Sequence, residues 1–560
     1  MMVKRFLDLI NGEITGLHQA AYLLGFFAIC SQVLALFRDR ILAAQFGASK
    51  ILDLYYSAFR IPDILFVTVA SIVSISVLIP FLIEKFEENE EEAKNFIDSV
   101  FSFFFLFMFC VGLLAFVLAP YFMKLLFPLL ARSSSFPDLI KLTRLLLLSP
   151  AFLGFSNLLA SITQVYKRFF LYAISPVVYN LGIIFGIIFL YPIFGLFGLG
   201  LGVVIGAFLH FAIQIPFIQK QNLFPKLSLK VKWQSIKKII YISLPRTITV
   251  SSNEFAELFL ISFASFFTAG SIAVFNFSFN LQSVPFSVIG VSYSLAAFPT
   301  LTRFFSSGER GEFVEQMINS ARHIIFWSVP SSILFIVLRA QIVRTILGAG
   351  RFNWDNTRLT AAALALFTIS LIAQNLVTLF VRSYYSQGKT KTPLFMNILS
   401  AIIIVFGSYY LVHIFNHNLF FRNFMEAILK VSGISGTAVL MLPLGFSIGV
   451  LINLLVHWIG FDYHFPSFSR PVLKTLFQIS GASIIMGYVT YGFLNILDKI
   501  FDINTFIGIF LQGFLSGIIG IIVVIMVLYL LKSKELAEVW STLHKKIWGA
   551  KAVLPDAELQ

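Results

Sequence analysis

The sequence predicts an all-α polytopic membrane protein with about 14 transmembrane helices, because apolar segments long enough to span a bilayer follow one another along the whole chain. The 560 residues are 58% hydrophobic and 12% charged, with a mean hydropathy of +0.88, whereas a soluble domain has about 25% charged residues. The loops are too short for a soluble domain. The predicted spans centre on residues 17–37, 56–83, 96–120, 138–164, 170–192, 196–218, 236–262, 270–300, 322–343, 358–383, 392–415, 434–460, 472–495 and 504–531.

Several function classes are unsupported by the sequence. The first apolar segment has no small-residue cleavage site after it, so we expect it to stay as a helix. Cys30 and Cys110 both lie in apolar segments, which argues against disulfides and metal sites. The net charge of +14 is better explained by orientation and anionic lipid than by nucleic acid. Without a nucleotide loop or nucleophile elbow, we expect no enzyme activity, no cofactor and no metal.

The distribution of Lys and Arg predicts which loops are cytoplasmic. With a cytoplasmic N-terminus and alternating helices, the strongly basic loop 219–238 is cytoplasmic, and the uncharged loops 192–195 and 266–271 are external. The external loop 339–358 carries four arginines and argues mildly against this arrangement. The acidic run 84–92 is expected to be a solvated cytoplasmic loop.

The two halves of the chain echo each other. Gly47 and Pro62 correspond to Gly270 and Pro285 at one common offset, and further Pro and Asn matches follow in the same order. Coincidence in a biased composition is the alternative. A repeat of about six helices predicts two pseudo-symmetric lobes with substrate between them. The predicted parts are an N-lobe (1–235), a C-lobe (236–462), two C-terminal helices (463–531) and a cytoplasmic tail (532–560).

The stretch 37–63 joins the first two spans and carries unusual charge at the membrane edge. Ionised side chains there cost roughly 2.5–3.5 kcal/mol each, so they usually face a cavity or a partner. Arg38 and Asp39 either hold substrate or form a gating pair, and an interfacial snorkelling pair is the alternative. Arg60, just before Pro62, is expected to face a cavity. Asp53 either pairs with Arg60 at i, i+7 or caps the second helix.

The seventh span contains Arg246, Glu254 and Glu257. The two glutamates are at i, i+3 and share one helix face. Because acids at that depth avoid lipid, they would neutralise an arginine, bind a cation or carry a coupling proton. A structural pairing with Arg60 or Arg246 is the alternative.

Five stretches in order resemble the MurJ/MviN lipid II flippases of the multidrug/oligosaccharidyl-lipid/polysaccharide (MOP) exporter superfamily. They are SQVLALFRDRILAAQFGASKILDLYYSAFRIPDIL, LTRLLLLSPAFLGFSNLLASITQVYKRFFLYAISPVVYNLGII, VPFSVIGVSYSLAAFPTLTRFF, ILGAGRFNWDNT and VRSYYSQGKTKTPLF. The resemblance implies two six-helix lobes, a groove for the lipid tail on the last two helices, and a cationic central cavity for the diphosphate of lipid II. It implies an undecaprenyl-diphosphate-linked precursor and membrane lipids as partners, no nucleic acid, and a monomer.

The family's charged positions are matched in part. Its second arginine and following aspartate correspond to Arg38 and Asp39, its next aspartate to Asp53, and its basic residue before Ile-Pro to Arg60. Arginines of the family are replaced by three other residues, Gln32, Phe66 and Asn280. Together the two lines of argument predict substrate contacts from Arg38, Arg60, Arg246 and Asn280, and gating or ion-pair roles for Asp39, Asp53, Glu254 and Glu257.

The resemblance implies a flippase that moves lipid II from the inner to the outer leaflet of a bacterial cytoplasmic (inner) membrane by alternating access, with both termini cytoplasmic. Export of another polyprenyl-diphosphate-linked glycan or of a small cation is one alternative. A transport-inactive membrane scaffold is another, and it predicts a cavity filled by side chains such as Phe66 and Asn280.

Overall fold

The computed structural model of the protein describes residues 17–69, 75–228 and 231–548. The regular secondary structure of these residues is helical, which confirms the all-α class. The first half contains α1 Leu17–Phe46, α2 Lys50–Ala58, α3 Arg60–Val69, α4 Ile75–Glu88, α5 Glu90–Leu126, α6 Pro128–Ala131, α7 Phe136–Leu146, α8 Leu148–Val165, α9 Phe169–Phe185, α10 Tyr191–Phe194, α11 Leu196–Ala212, α12 Ile215–Lys220 and α13 Trp233–Ala264.

The second half continues in the same way, with helices joined by short loops. It contains α14 Ser271–Pro285, α15 Ser292–Ser306, α16 Arg310–Val337, α17 Arg339–Leu347, α18 Trp354–Thr368, α19 Leu371–Ser386, α20 Lys391–His417, α21 Leu419–Leu429, α22 Met441–His464, α23 Ser469–Leu497, α24 Phe506–Leu530 and α25 Lys534–Trp548. One turn of π-helix (Gly186–Leu190) joins α9 to α10, and another (Phe286–Val291) joins α14 to α15.

Ten helical segments in the described ranges are long and apolar enough to cross a membrane. The pair α18 and α19, bent by 41°, makes an eleventh if the two helices form one span. The chain is therefore a multi-pass membrane protein, and the count of fourteen spans stays a prediction.

The chain divides into two compact units. The larger unit falls within Met1–Val284, Ile346–Phe367 and Lys389–Asn453, and the smaller unit comprises the rest. The lobes predicted from the repeat follow chain order, whereas these units do not. The lobe boundaries stay a prediction.

A glycine seam joins α9 and α11 in the larger unit. A Cβ added to Gly182 would lie 2.3 Å from the Cα of Gly206, and one added to Gly186 would lie 2.4 Å from the Cα of Gly202. The two backbones are thus in direct contact. These glycines serve helix packing, as small residues do in membranes.

The loops before α2 and before α14 both turn through a glycine with positive φ, namely Gly47 (+63°) and Gly270 (+93°). These are the two glycines matched by the repeat. The loops also touch, since a Cβ on Gly270 would lie 2.3 Å from the carbonyl oxygen of Ala48. This contact brings the start of α14 next to the charged stretch around α2.

In the smaller unit the C-terminal helix α25 is held by the buried carboxylate of Glu535. Glu535 accepts hydrogen bonds from Arg322 of α16 (2.7 Å), Thr475 of α23 (2.9 Å) and Ser533 (2.7 Å). Its charge is thus neutralised and its oxygens are satisfied, which makes burial of the carboxylate tolerable.

Candidate functional site

Arg38 and Asp39 form an ion pair on α1, in which the side chain of Asp39 is buried and that of Arg38 is half-buried, with 20% of it exposed. The Nε and Nη2 atoms of Arg38 donate to Oδ1 of Asp39 at 3.0 and 2.8 Å. The third donor, Nη1, reaches Oδ1 of Asn180 on α9 at 3.1 Å. Asp39 is only 3% exposed, so the alternative of a snorkelling interfacial pair is wrong.

Asn280 of α14 completes this network from the other side. Its Nδ2 donates to Oδ2 of Asp39 at 2.9 Å, so both oxygens of the carboxylate are engaged. Asn180 in turn donates to Oγ of Ser31 at 3.2 Å. The result is a continuous chain of hydrogen bonds from α9 through α1 to α14, with one cation and one anion at its centre.

Arg60 forms the second buried cationic centre, at the start of α3. Its Nη1 donates to Oε1 of Glu257 on α13 at 2.9 Å, its Nη2 to Oδ1 of Asn276 on α14 at 3.3 Å, and its Nε to the carbonyl of Tyr56 at 3.2 Å. The carboxylate of Asp63 lies 3.8 Å from Nη2. Every nitrogen of the guanidinium thus has a hydrogen-bond partner. The pairing of Glu257 with Arg60, which was the structural alternative for this glutamate, is confirmed.

Among the side chains that the structure describes, carboxylates outnumber arginines in these two centres. Glu254 and Asp63 interact electrostatically with Arg60 in addition to Glu257. Arg38 and Arg60 therefore face four acids, Asp39, Asp63, Glu254 and Glu257. With every group ionised, the cluster would carry a net charge of −2.

Asp53 caps a helix other than its own. Its Oδ2 accepts a hydrogen bond from the backbone N–H of Gly270 at 2.6 Å, and its Oδ1 accepts one from Ala273 at 2.9 Å. It is buried, and it supplies acceptors and negative charge to the N-terminus of α14. These contacts contradict both the pairing with Arg60 and the capping of the second helix, and a gating role for Asp53 stays a prediction. Arg60 bonds instead to Glu257, Asn276 and the carbonyl of Tyr56.

Comparison with known proteins assigns the chain to a family. The sequence model described as "Lipid II flippase MurJ" matches residues 42–512. The chain belongs to this family. The probable lipid II flippase MurJ of Thermotoga maritima is 27% identical over 526 residues, which cover 93% of this chain and 97% of that protein.

Solved structures agree on the fold. A structure of lipid II flippase MurJ in an inward closed conformation matches with a TM-score of 0.71 and 22% identity, over 94% of this chain and all of that one. An inward-facing multidrug resistance MATE transporter of the MOP superfamily matches with a TM-score of 0.62 and 14% identity, over 79% and 96% of the two chains. The MurJ-like and MATE-like fold expected from the resemblance is confirmed.

For a MurJ family member, the acid surplus described above differs from the cationic cavity that the resemblance implied. Where the resemblance implied an arginine, Asn280 donates a hydrogen bond to Asp39 without adding charge. Phe66 lies beside Asp63 and Tyr179 at a cavity of about 50 Å³, far below the roughly 300–1,000 Å³ of ligand pockets. Gln32 is half-buried on α1.

The remaining predicted residues are placed in part. Glu254 lies near Arg60, as stated, and no hydrogen bond joins the two in the described part of the chain. Arg246 falls on α13, but its side chain lies outside the described residues. Among the described residues, no group of three or more His, Cys, Asp or Glu is arranged to hold a metal ion.

Sequence reasoning missed Asn180 and Asn276 as partners of the two arginines. Asn180 carries a usable signal, because the repeat matches it to Asn397. Asn276 carried none, since an Asn within an apolar helix points to many different partners.

Proposed function

We propose that this MurJ family member flips lipid II, the undecaprenyl-diphosphate-linked peptidoglycan precursor, from the inner to the outer leaflet by alternating access. The family model, which matches residues 42–512, supports the substrate class. The observation that carries the mechanism is the pair of arginines, half-buried Arg38 and buried Arg60, each held by a carboxylate.

The two arginines would bind the diphosphate by exchanging partners. A diphosphate carries about two negative charges, and a guanidinium offers it bidentate hydrogen bonds while staying charged. Asp39 and Glu257 now occupy those donors. The substrate would displace them, and they would return when it leaves.

This exchange explains why each arginine is paired with a carboxylate in the absence of substrate. Removing the partner of a buried charge costs about 3–5 kcal/mol, so an empty site with free arginines would be unstable. Asp39 and Glu257 keep each arginine neutralised when no lipid is bound. Asn280 would hold Asp39 after its release from Arg38, because its amide already donates to the other oxygen of that carboxylate.

The remaining parts of the proposal concern setting and topology. We infer a bacterial cytoplasmic membrane protein with both termini in the cytoplasm, because the basic loop 219–238 then faces that side. The monomeric state is proposed from the resemblance alone. Asp53 would stabilise one conformation by capping α14, in agreement with a gating role.

The test is complementation of a strain depleted of its own flippase, with lipid II accumulation as the readout. Arg38→Ala and Arg60→Ala should fail to restore growth and should leave lipid II elevated. Arg132→Ala, at an exposed arginine after α6, is the matched control and should complement. Membrane levels of each variant separate loss of transport from loss of fold. Full complementation by both alanine variants at normal levels would refute the roles of these arginines.

Export of a small cation is the second candidate, and the four carboxylates around two arginines favour it. Native mass spectrometry of lipid that co-purifies with the protein separates the candidates. Recovery of lipid II supports the first, whereas another polyprenyl-diphosphate glycan would keep the mechanism and change the cargo. Absence of lipid together with cation uptake into proteoliposomes would favour the second.

A further inference from the structure

An apolar groove on the larger unit has no role in the function proposed above. Its volume is about 590 Å³, and it is formed by α5, α7, α8 and the start of α11. Phe105, Met108, Leu113 and Phe116 of α5 form one wall, with Phe155 of α8 opposite. From Phe105 to Phe116 the wall runs about 16 Å along the helix. This length matches half of the roughly 30 Å hydrocarbon core, which is the reach of one acyl chain in one leaflet.

Arg144 is fixed at this groove by a defect in α5. Pro120 lies inside α5 and has no N–H, so the carbonyl of Phe116, four residues earlier, lacks its helical donor. The Nε of Arg144 donates to that carbonyl at 3.0 Å, and the guanidinium lies 4.6 Å from the centre of the Phe116 ring. The side chain is therefore held at its inner edge by one nitrogen and one ring face.

The outer edge of the Arg144 guanidinium is open. Its two terminal nitrogens have no hydrogen-bond acceptor among the described residues. Lys141, one turn earlier on α7, also lines the groove, and its side chain is exposed. In the part of the chain that the structure describes, neither cation has a carboxylate within ion-pair distance. Two cations without an anion thus stand at an apolar groove.

We propose that this groove is a binding site for an anionic phospholipid, with one acyl chain along α5 and the phosphate on Arg144 and Lys141. The terminal nitrogens of Arg144 present a fork that matches two phosphate oxygens. An anionic lipid such as phosphatidylglycerol neutralises both cations. A zwitterionic lipid brings its own ammonium group, which offsets part of that attraction. The predicted orientation puts this end of α7 in the outer leaflet.

The groove suits a membrane phospholipid better than the polyprenyl tail of the substrate. Its length corresponds to a single leaflet, and its cations lie on helices of the larger unit rather than on the two C-terminal helices that the resemblance implies for the tail. Bound lipid would fill the space between α5 and α8 and would pair the two cations. The site would then couple the stability of the larger unit to lipid charge.

The test is native mass spectrometry of the purified full-length protein, titrated with phosphatidylglycerol and with phosphatidylcholine of identical acyl chains. The wild type should bind phosphatidylglycerol at least tenfold more tightly than phosphatidylcholine. The double variant Lys141→Gln/Arg144→Gln should lose that preference and keep its affinity for phosphatidylcholine. Lys124→Gln is the matched control, because Lys124 is an exposed lysine in the last turn of α5 that does not line the groove. It should behave like the wild type.

A second variant tests the apolar part of the site. A Cβ at Gly112, which lines the groove, would meet nothing within 4 Å, so Gly112→Phe should fill the groove without a clash. It should weaken binding of both lipids by a similar factor. An unchanged lipid preference in the double variant, or unchanged binding in Gly112→Phe, would overturn the assignment. Displacement of phosphatidylglycerol by an equimolar amount of undecaprenyl diphosphate would overturn it in favour of the substrate's own tail.

Discussion

The ion pair between Arg60 and Glu257 makes the sharpest prediction, because its two members are 197 residues apart in sequence and joined at 2.9 Å. The perturbation is a double-mutant cycle with Arg60→Met, Glu257→Gln and the double variant. Arg60 is 9% exposed at its side chain and Glu257 is 17% exposed, so the pair is largely shielded from water. Met keeps the bulk of the side chain and removes the charge, and Gln keeps the shape of the glutamate.

The structure sets the size of the effect. Glu257→Gln leaves Arg60 with a single neutral amide in place of its bonded carboxylate, while Asn276 and the Tyr56 carbonyl remain. Breaking a buried pair costs about 3–5 kcal/mol of unfolding free energy. Because Arg60 keeps its other partners and the neighbouring acids, we expect Glu257→Gln to cost about 3 kcal/mol or less. Arg60→Met leaves Glu257 without its partner, and we expect a loss of about 3 kcal/mol. In the double variant neither charge remains, so the loss should be less than the sum by about 2 kcal/mol.

The assay is equilibrium unfolding of purified protein in detergent, followed by helical content. Glu254→Gln in the same cycle is the control, since Glu254 interacts with Arg60 through charge alone and should couple by less than about 1 kcal/mol. Additive losses, within about 0.5 kcal/mol, for Arg60→Met and Glu257→Gln would refute a direct pair.

Three further predictions follow from single contacts. Asp53→Ala removes two buried acceptors from the start of α14 and should cost about 2–4 kcal/mol of unfolding free energy, whereas Asp138→Ala, at an exposed acid, should cost under about 1. Gly270→Ala combines φ of +93° with a clash against a carbonyl and should cost about 3 kcal/mol of unfolding free energy. Gly308→Ala, with φ of +77° and open space, should cost about 1 kcal/mol in the same unfolding assay. Burial raises the pKa of Glu535, but its hydrogen bonds outweigh this and lower it below the ordinary value. The stabilisation from Glu535 is therefore complete above the unfolded-state pKa of about 4.3 and is lost as pH falls through the lower folded-state pKa, and Glu535→Gln should remove that part of the acid dependence of Tm.

The positions of the ten long apolar helices were predictable because span length and apolarity are local properties. The pair of Arg38 and Asp39 was also predictable, since the two residues are adjacent in sequence and an unpaired charge at that depth is costly. Their further partners were not predictable in the same way. Asn280 reaches Asp39 across 241 positions, and nothing in the sequence of α14 singles that contact out.

Asp53 shows why spacing alone misled. A separation of seven residues places two side chains on one helix face, but it does not decide which partner each of them reaches. Asp53 accepts from the N-terminus of α14, whereas Arg60 donates to Glu257 of α13. Arg144 shows a second contact that the sequence could not predict. The free carbonyl made by Pro120 is predictable from the sequence, but the residue that occupies it lies 28 positions away from Phe116 on another helix.

The glycine seam between α9 and α11 has a mechanical consequence. Where two backbones touch, as at Gly186 and Gly202, there are no side-chain rotamers to rearrange and no slack that would let one helix slide along the other. The two helices should therefore move as one rigid lever in any transport cycle. Asn180 lies on α9 only two residues from the seam glycine Gly182, and it donates to Ser31 and accepts from Arg38 on α1. Any tilt of that lever would pull on the Arg38 guanidinium, so the motion of a rigid helix pair and the release of a bound anion would become a single event.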